Sequence, residues 1–304
     1  WGAPGVGKSA IVRQVADEQG LALADVRAVL LDPVDLRGLP IADGDTARWL
    51  APSFLPTTGN GILFLDELNA APPAVQAACY QLVLDRAIGE YRLPSGWRII
   101  AAGNREGDRA VTNRMPTPLR NRFVHLNLDV DQEDWTRWAI DAGVPVEVLA
   151  FIRFRPGLLH AFDPQSTEKA FPSPRSWEFV GRLMAAGIPA GIEFEMLSGT
   201  IGQAAAVEFC GFLKVFRQLP NPDQCLLDPD GAPVPKDPSA LYALTAALAR
   251  KATPGNADRF FAYVRRLGVE YQVLAIRDAQ RRNPQVAQTA AFIAWSTRNA
   301  AALA

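Results

Sequence analysis

Residues 2–9 read Gly-Ala-Pro-Gly-Val-Gly-Lys-Ser and fit the pattern G-x-x-x-x-G-K-[ST]. Glycines at this spacing let successive backbone N–H groups close around phosphate oxygens, while the Lys8 ammonium reaches the β- and γ-phosphates and the Ser9 hydroxyl can ligate Mg2+. The cradle formed by Gly2, Ala3, Pro4, Gly5, Val6, Gly7, Lys8, Ser9 and Ala10 is therefore the candidate nucleotide site. A second cluster lies about 60 residues on, where the apolar run Ile62-Leu63-Phe64-Leu65 ends in Asp66-Glu67. A buried parallel strand with this ending delivers two carboxylates to the carboxyl edge of a sheet. Asp66 would then hold the Mg2+ shell, and Glu67 would orient and deprotonate an attacking water. The pair reads as hydrolytic, because a kinase built on the same loop needs no water-activating Glu beside its metal Asp.

The elements that must position these groups can be read from pattern. Ile11, Val12, Val15 and Ala16 fall at helical spacing with Gly20 as a stop, so the positive end of a helix would face the phosphates. The strand that normally leads into such a loop does not precede Trp1, so a longer natural protein is expected, with the loop here held on its helix side alone. A second strand is expected near 23–31, and Trp97–Asn104 and Phe123–Val130 read as further strands. Residues 32–61 lack periodicity and are rich in Pro, Gly and Asp, whereas 86–100 alternate around Gly89 and a Pro-Ser-Gly turn and read as a hairpin.

From 131 the pattern turns helical. Ser173 is a predicted N-cap with Pro174 at the first helical position, and Asp237-Pro238 repeats that signature. Helix-like segments follow at 238–252, 257–282 and 285–304; their aromatics Phe260, Phe261, Tyr263, Tyr271, Phe292 and Trp295 read as core, and the charge run 277–284 as a solvated helix end.

Composition sets outer bounds. The chain has 304 residues, 49% hydrophobic and 21% charged, which suits a folded protein of two domains and excludes disordered or coiled-coil classes. A net charge of -1 gives no global field for nucleic acid or anionic membrane. No charge-free stretch reads as a transmembrane helix and no signal peptide is apparent. Cys79, Cys210 and Cys225 are too few and too widely spaced for a disulfide framework and read as reduced thiols in a cytoplasmic protein; His125 and His160 lack neighbours at metal spacing and read as structural.

Together the segments GAPGVGKS (2–9), LLDPVDLRGLP (30–40), LFLDELNAAPPAVQAACYQLVLDR (63–86), IIAAGNR (99–105) and PLRNRF (118–123) resemble the AAA+ ATPases, and more narrowly their MoxR-like branch with its CbbQ/NorQ-type activators. The resemblance covers residues 2 to about 180 and implies an α/β P-loop NTPase αβα sandwich over 1–130 with its first strand missing, followed by a helical lid over 131–220; the residue pattern beyond reads as a linker with a helical extension over 221–304. It matches Asn104 to the sensor-1 residue that positions the lytic water, Arg122, or else Arg120, to an arginine finger reaching a neighbouring subunit's nucleotide, and Arg175 to the sensor-2 arginine of the lid. The excursions at 32–61 and 86–100 match the helix-2 and pre-sensor-1 insertions. The implied activity is Mg2+-dependent ATP hydrolysis in a ring, most simply a hexamer, that remodels a protein client, with a von Willebrand factor A domain protein as the family's common partner. A nucleic-acid motor or loader, or a nucleotide-binding switch with little turnover, are the alternatives. The charge balance counts against the first and Glu67 against the second.

Overall fold

The computed structural model describes residues 1–108 and 113–299, and the chain divides into two units: Trp1–Asp129 with Phe162–Thr167, and Val130–Ala161 with Glu168 onward. The first unit contains α1 (Lys8–Glu18), β1 (Ala22–Arg27), α2 (Pro33–Arg37), β2 (Leu39–Asp43), β3 (Thr46–Leu50), β4 (Asn60–Asp66), α3 (Pro73–Asp85), β5 (Ala87–Ile88), β6 (Tyr91–Arg92), β7 (Gly96–Ala101) and α4 (Thr117–Arg120). Strands β1, β4 and β7 form a parallel sheet in that order, with Arg27 opposite Asp66 and Leu65 opposite Ala101.

The central strand explains its own sequence. Ile62 and Phe64 pack with Ala16 of α1 and with Ala102, whereas Leu63 and Leu65 pack with Val75, Cys79 and Leu82 of α3. Helices cover both faces of the sheet, so both sides of β4 are apolar and the run is continuous rather than alternating. This is the α/β P-loop layering read from the sequence. Cys79 sits deep in the α3 core, where burial pushes its thiol up to about 12.

Several expected elements differ in detail. The strand expected over 23–31 stops at Arg27, and Ala28–Leu30 make a 3-10 turn. The 32–61 excursion is partly regular: Asp32 and Asp35 form a capping box on α2, and β2 pairs antiparallel with β3. The hairpin expected over 86–100 is confined to β5 and β6, and residues 96–101 join the main sheet. No strand forms over 123–129; Leu128 N donates to Trp1 O at 2.7 Å, a single rung, and Val124 is 89% exposed. A strand needs a ladder, which one rung does not provide. That rung and the Gly2 N donation to Gly103 O (3.3 Å) hold the phosphate loop on its N-terminal side, so it is not held by its helix alone.

Among the described residues the second unit is entirely helical: α5 (Gln132–Asp141), α6 (Val146–Phe154), α7 (Pro174–Ala186), α8 (Glu193–Ile201), α9 (Gln203–Arg217), α10 (Pro222–Leu227), α11 (Pro238–Lys251), α12 (Ala257–Val264), α13 (Val269–Arg282) and α14 (Ala290–Arg298). Two apolar cores meet at α11, whose Ala243 and Ala246 face α6, α7 and α9 while Leu244 and Leu248 face α12, α13 and α14. Ser173 and Asp237 cap α7 and α11 as expected. The segment expected as one helix over 257–282 breaks at Leu267-Gly268, where Gln272 Nε2 donates to Leu267 O (2.8 Å). The last expected helix becomes a 3-10 turn over Pro284–Gln288 followed by α14, and its final residues, 300–304, lie outside the described ones.

The charge run 277–284 is not simply solvated. Asp278 is 4% exposed and forms a two-armed ion pair with Arg153 of α6. Charge identity alone does not report the direction a helical residue faces. No helix among the described residues is long and apolar enough to cross a membrane.

Candidate active site

The phosphate loop enters α1 through Gly7, whose φ of 98° lies in the left-handed region that favours glycine. As an N-cap it supplies no side-chain acceptor, so the amides of the first turn remain available to an anion at the positive end of the helix. Lys8 Nζ donates to Gly2 O (2.8 Å), Ala3 O (3.0 Å) and Asn104 Oδ1 (2.8 Å), which folds the ammonium across the mouth of the loop.

At the carboxyl end of β4, Asp66 is buried and held from two sides. Ser9 Oγ donates to its Oδ2 at 2.6 Å, and Glu67 N donates to its Oδ1 at 2.9 Å. Glu67 itself is exposed and sits at φ 55°, a left-handed conformation that costs a non-glycine residue roughly 1–2 kcal/mol. Such strain at the end of a buried strand is a recurring mark of a working position.

Asn104 follows the end of β7. Its side chain meets Lys8, and its backbone is held by Asn69: Asn69 Nδ2 donates to Asn104 O (2.7 Å) and Asn104 N donates to Asn69 Oδ1 (3.2 Å). The fold therefore brings together two hydrogen-bonded pairs, Lys8 with Asn104 and Ser9 with Asp66, joined by the chain at Lys8-Ser9, with Glu67 following Asp66. Asn69, Gly103 and Asn113 belong to this neighbourhood and went unremarked in the sequence. Their only advance signal was Asn69's position three residues after Asp66, within an otherwise apolar turn.

The arginines are placed differently. Arg120 ends α4 and Arg122 follows its C-cap; both are exposed. His125 holds this end of α4: its Nδ1 accepts from Trp1 Nε1 (2.7 Å), which leaves Nε2 as the donor to Arg120 O (2.8 Å). This is the structural role expected of His125. Arg175 is exposed at the second position of α7, in the second unit.

The oxygens of Ser9 and Asp66 are the hard donors Mg2+ prefers, and among the described residues no group of three or more His, Cys, Asp or Glu forms a protein-only metal cage. Two protein oxygens suit a cation that arrives on the substrate and keeps water and phosphate oxygens in its shell. The donor set thus fits a metal-nucleotide substrate.

Residues 1–128 match the family model described as ATPase family associated with various cellular activities (AAA). A Midasin from Giardia intestinalis is 29% identical over 163 residues, a match that takes in 50% of this chain and 3% of the Midasin's own length. Among solved structures, the NtrX of Brucella abortus in complex with ADP aligns with a TM-score of 0.40 and 16% identity, covering 100% of this chain and 64% of NtrX. A second NtrX structure aligns with a TM-score of 0.37 and 14% identity, covering 93% and 63%. Residues 1–128 thus combine a match to that family model with a parallel sheet between helical layers and a phosphate loop at its carboxyl edge, the α/β P-loop layering.

Proposed function

We propose that this chain is an ATPase of the MoxR-like AAA+ branch, which hydrolyses MgATP in a ring, most simply a hexamer, to remodel or activate a protein partner. The observation that carries this reading is the convergence of Lys8, Ser9, Asp66 and Asn104, drawn from three separate stretches of sequence, beside an exposed Glu67.

On this reading the loop amides and Lys8 bind the β- and γ-phosphates, and Ser9 and Asp66 take the Mg2+ that accompanies them. Lys8 gives up at least one of its present acceptors to do so, and the bond to Asn104 is the one whose release frees a side-chain oxygen to hold water. The water oxygen attacks the γ-phosphorus in line, its proton passes to Glu67, and the bond from the γ-phosphorus to the bridging oxygen breaks, giving ADP and inorganic phosphate. Arg122 acts from a neighbouring subunit, where its charge is worth about 10³–10⁵ in rate; Arg120 is the second choice for that role. Arg175 contacts phosphate from the lid. A cytoplasmic location and a partner bearing a von Willebrand factor A domain complete the proposal.

The deciding variant is Glu67→Gln, which keeps shape and removes the base. It should bind ATP as the wild type does and release phosphate about 10²–10⁴-fold more slowly. Equal phosphate release by the two proteins would mean a nucleotide-binding switch rather than a hydrolase.

A further inference from the structure

We propose that Asn69 is a positioning residue for hydrolysis, which holds Asn104 in register with Asp66 and, together with Asn113, ties the turn after the acid pair to the segment leading into α4. The inference rests on the reading of Asn104 as the residue that holds the lytic water.

Four observations carry it. First, β4 and β7 stop pairing where the site begins: the last ladder contacts are Ala102 N to Leu65 O (3.0 Å) and Leu68 N to Ala102 O (3.0 Å), after which the chain turns, with Ala70 N donating to Glu67 O (2.9 Å). Asn104 therefore lies beyond the reach of the strand that should hold it. Second, the Asn69 side chain supplies the missing rung. Its amide gives and takes one hydrogen bond with the N–H and C=O of a single residue, as a neighbouring strand would. The assignment of its oxygen and nitrogen is forced, since the Asn104 N–H demands an acceptor and the Asn104 carbonyl a donor.

Third, the fit is exclusive. Asn69 is 2% exposed, and a Cβ on Gly103 would lie 2.4 Å from Asn69 Oδ1. Position 103 must stay glycine for the amide to come this close to the backbone. Fourth, the same turn holds the far end of the segment. Asn113 N donates to Asn69 O (2.6 Å), and Asn113 Nδ2 donates to Ala71 O (2.9 Å) and Ala70 O (3.3 Å). Residues 104 and 113 are thus clamped to one three-residue turn, Asn69 to Ala71, one residue beyond Asp66-Glu67. Beside this clamp lies a cavity of about 740 Å³ bounded by Asn69, Asn113, Met115, Arg120, Phe123 and His125, so Asn69 and Asn113 share one cavity wall with Arg120.

An apolar residue of similar size would fill the space below the turn but could not orient Asn104. The amide is there for direction, not volume.

The test compares steady-state ATP hydrolysis by the full chain for the wild type, Asn69→Ala, Asn69→Asp, Asn113→Ala and Asn104→Ala, with ATP affinity and melting temperature measured on each. Asn69→Ala should lower kcat about 10- to 100-fold with little change in KM, because phosphate binding is left intact and only the water is misplaced. Asn69→Asp keeps the size and the acceptor for Asn104 N–H but sets a buried carboxylate oxygen against the Asn104 carbonyl, so its kcat should fall at least as far as that of Asn69→Ala; a residue that merely fills space would leave kcat unmoved by this near-isosteric change. Asn69→Ala added to Asn104→Ala should cost nothing further. If Asn104→Ala abolishes turnover while Asn69→Ala and Asn69→Asp stay within about twofold of wild type, the positioning role is overturned. If Asn104→Ala itself leaves kcat unchanged, it is the reading of Asn104 that fails. Should Asn69→Ala not fold, Asn69→Asp and Asn113→Ala carry the comparison.

Discussion

The residues that most repay attention are those whose environment differs from what their type suggests. Asp278 lies in a run of arginines and carboxamides that reads as solvent-facing, yet it is buried against Arg153, with Arg282 half-buried beside them. Burial is the main cause that pulls the Arg282 guanidinium below its usual value; Asp278 opposes that shift, and Arg153 and Arg250 add to it. The single carboxylate therefore balances several cations. Asp278→Ala should destabilise the second unit by on the order of 3–5 kcal/mol in urea melts, since it leaves Arg153 buried and unpaired, whereas the joint change Arg153→Met with Asp278→Leu should be near neutral. A single-variant cost below about 1 kcal/mol would place the pair in effective contact with water. Here the sequence was silent for a physical reason: helical phase places the 278 side chain inward, and a partner 125 residues away cannot be read from charge. Lys8, Ser9, Asp66 and Glu67 were legible because phosphate and metal chemistry demand particular types at particular spacings. Asn69 was not, because its task is to satisfy a backbone that only the folded turn brings near.

At the scale of elements, a helix cap is set by local chemistry, whereas a strand end depends on neighbours distant in sequence. Asp237 was visible from the Asp-Pro pair, and its carboxylate accepts from Ser239 N (2.8 Å) and Ala240 N (3.2 Å) at the start of α11. The hydrogen bond from the Ser239 side chain, followed by the Ala240 amide, holds the Asp237 carboxyl below the usual aspartate range. A depressed folded pKa means stability that is present above the unfolded value near 3.9 and is lost as pH falls through the folded one. Asp237→Ala should therefore cost about 1 kcal/mol at neutral pH and progressively less in acid. Asp237→Asn should retain most of the stability with a flatter acid profile, and parallel acid dependence in all three proteins would show that the cap does not titrate with folding. Residues 123–130 have the pattern of a strand and form none, for the opposite reason. Phe123, Val124, Leu126 and Leu128 have the alternation of a strand, but strand formation needs neighbours, and only the rung to Trp1 is present. The helix expected over 257–282 failed because periodicity continues across Leu267-Gly268 even though the hydrogen-bond ladder does not.

For the whole molecule, the arrangement of charged groups bears on how many chains the reaction takes. Lys8 is already bonded to Asn104 and Ser9 to Asp66, whereas Arg120 and Arg122 sit exposed on and just after α4, with His125 holding that helix end. An arginine placed for its own nucleotide would be expected among the first group. One presented to solvent on a short helix suits a site completed by another copy. On the proposed ring, each catalytic interface combines the Glu67 of one subunit with the Arg122 of the next. Assayed alone, Glu67→Gln should lose about 10²–10⁴-fold and Arg122→Ala about 10³–10⁵-fold in turnover, while both still bind ATP. Mixed in equal amounts and allowed to exchange subunits, they should recover up to about a quarter of wild-type activity, because a random ring pairs an intact base with an intact finger at about one interface in four. Recovery should rise with total protein concentration and vanish when Arg122→Ala is mixed instead with the double variant Glu67→Gln with Arg122→Ala, which has no intact finger to offer. A mixture no more active than its components, with both still assembling, would place Arg122 beside its own subunit's nucleotide and remove the need for a ring in the chemistry.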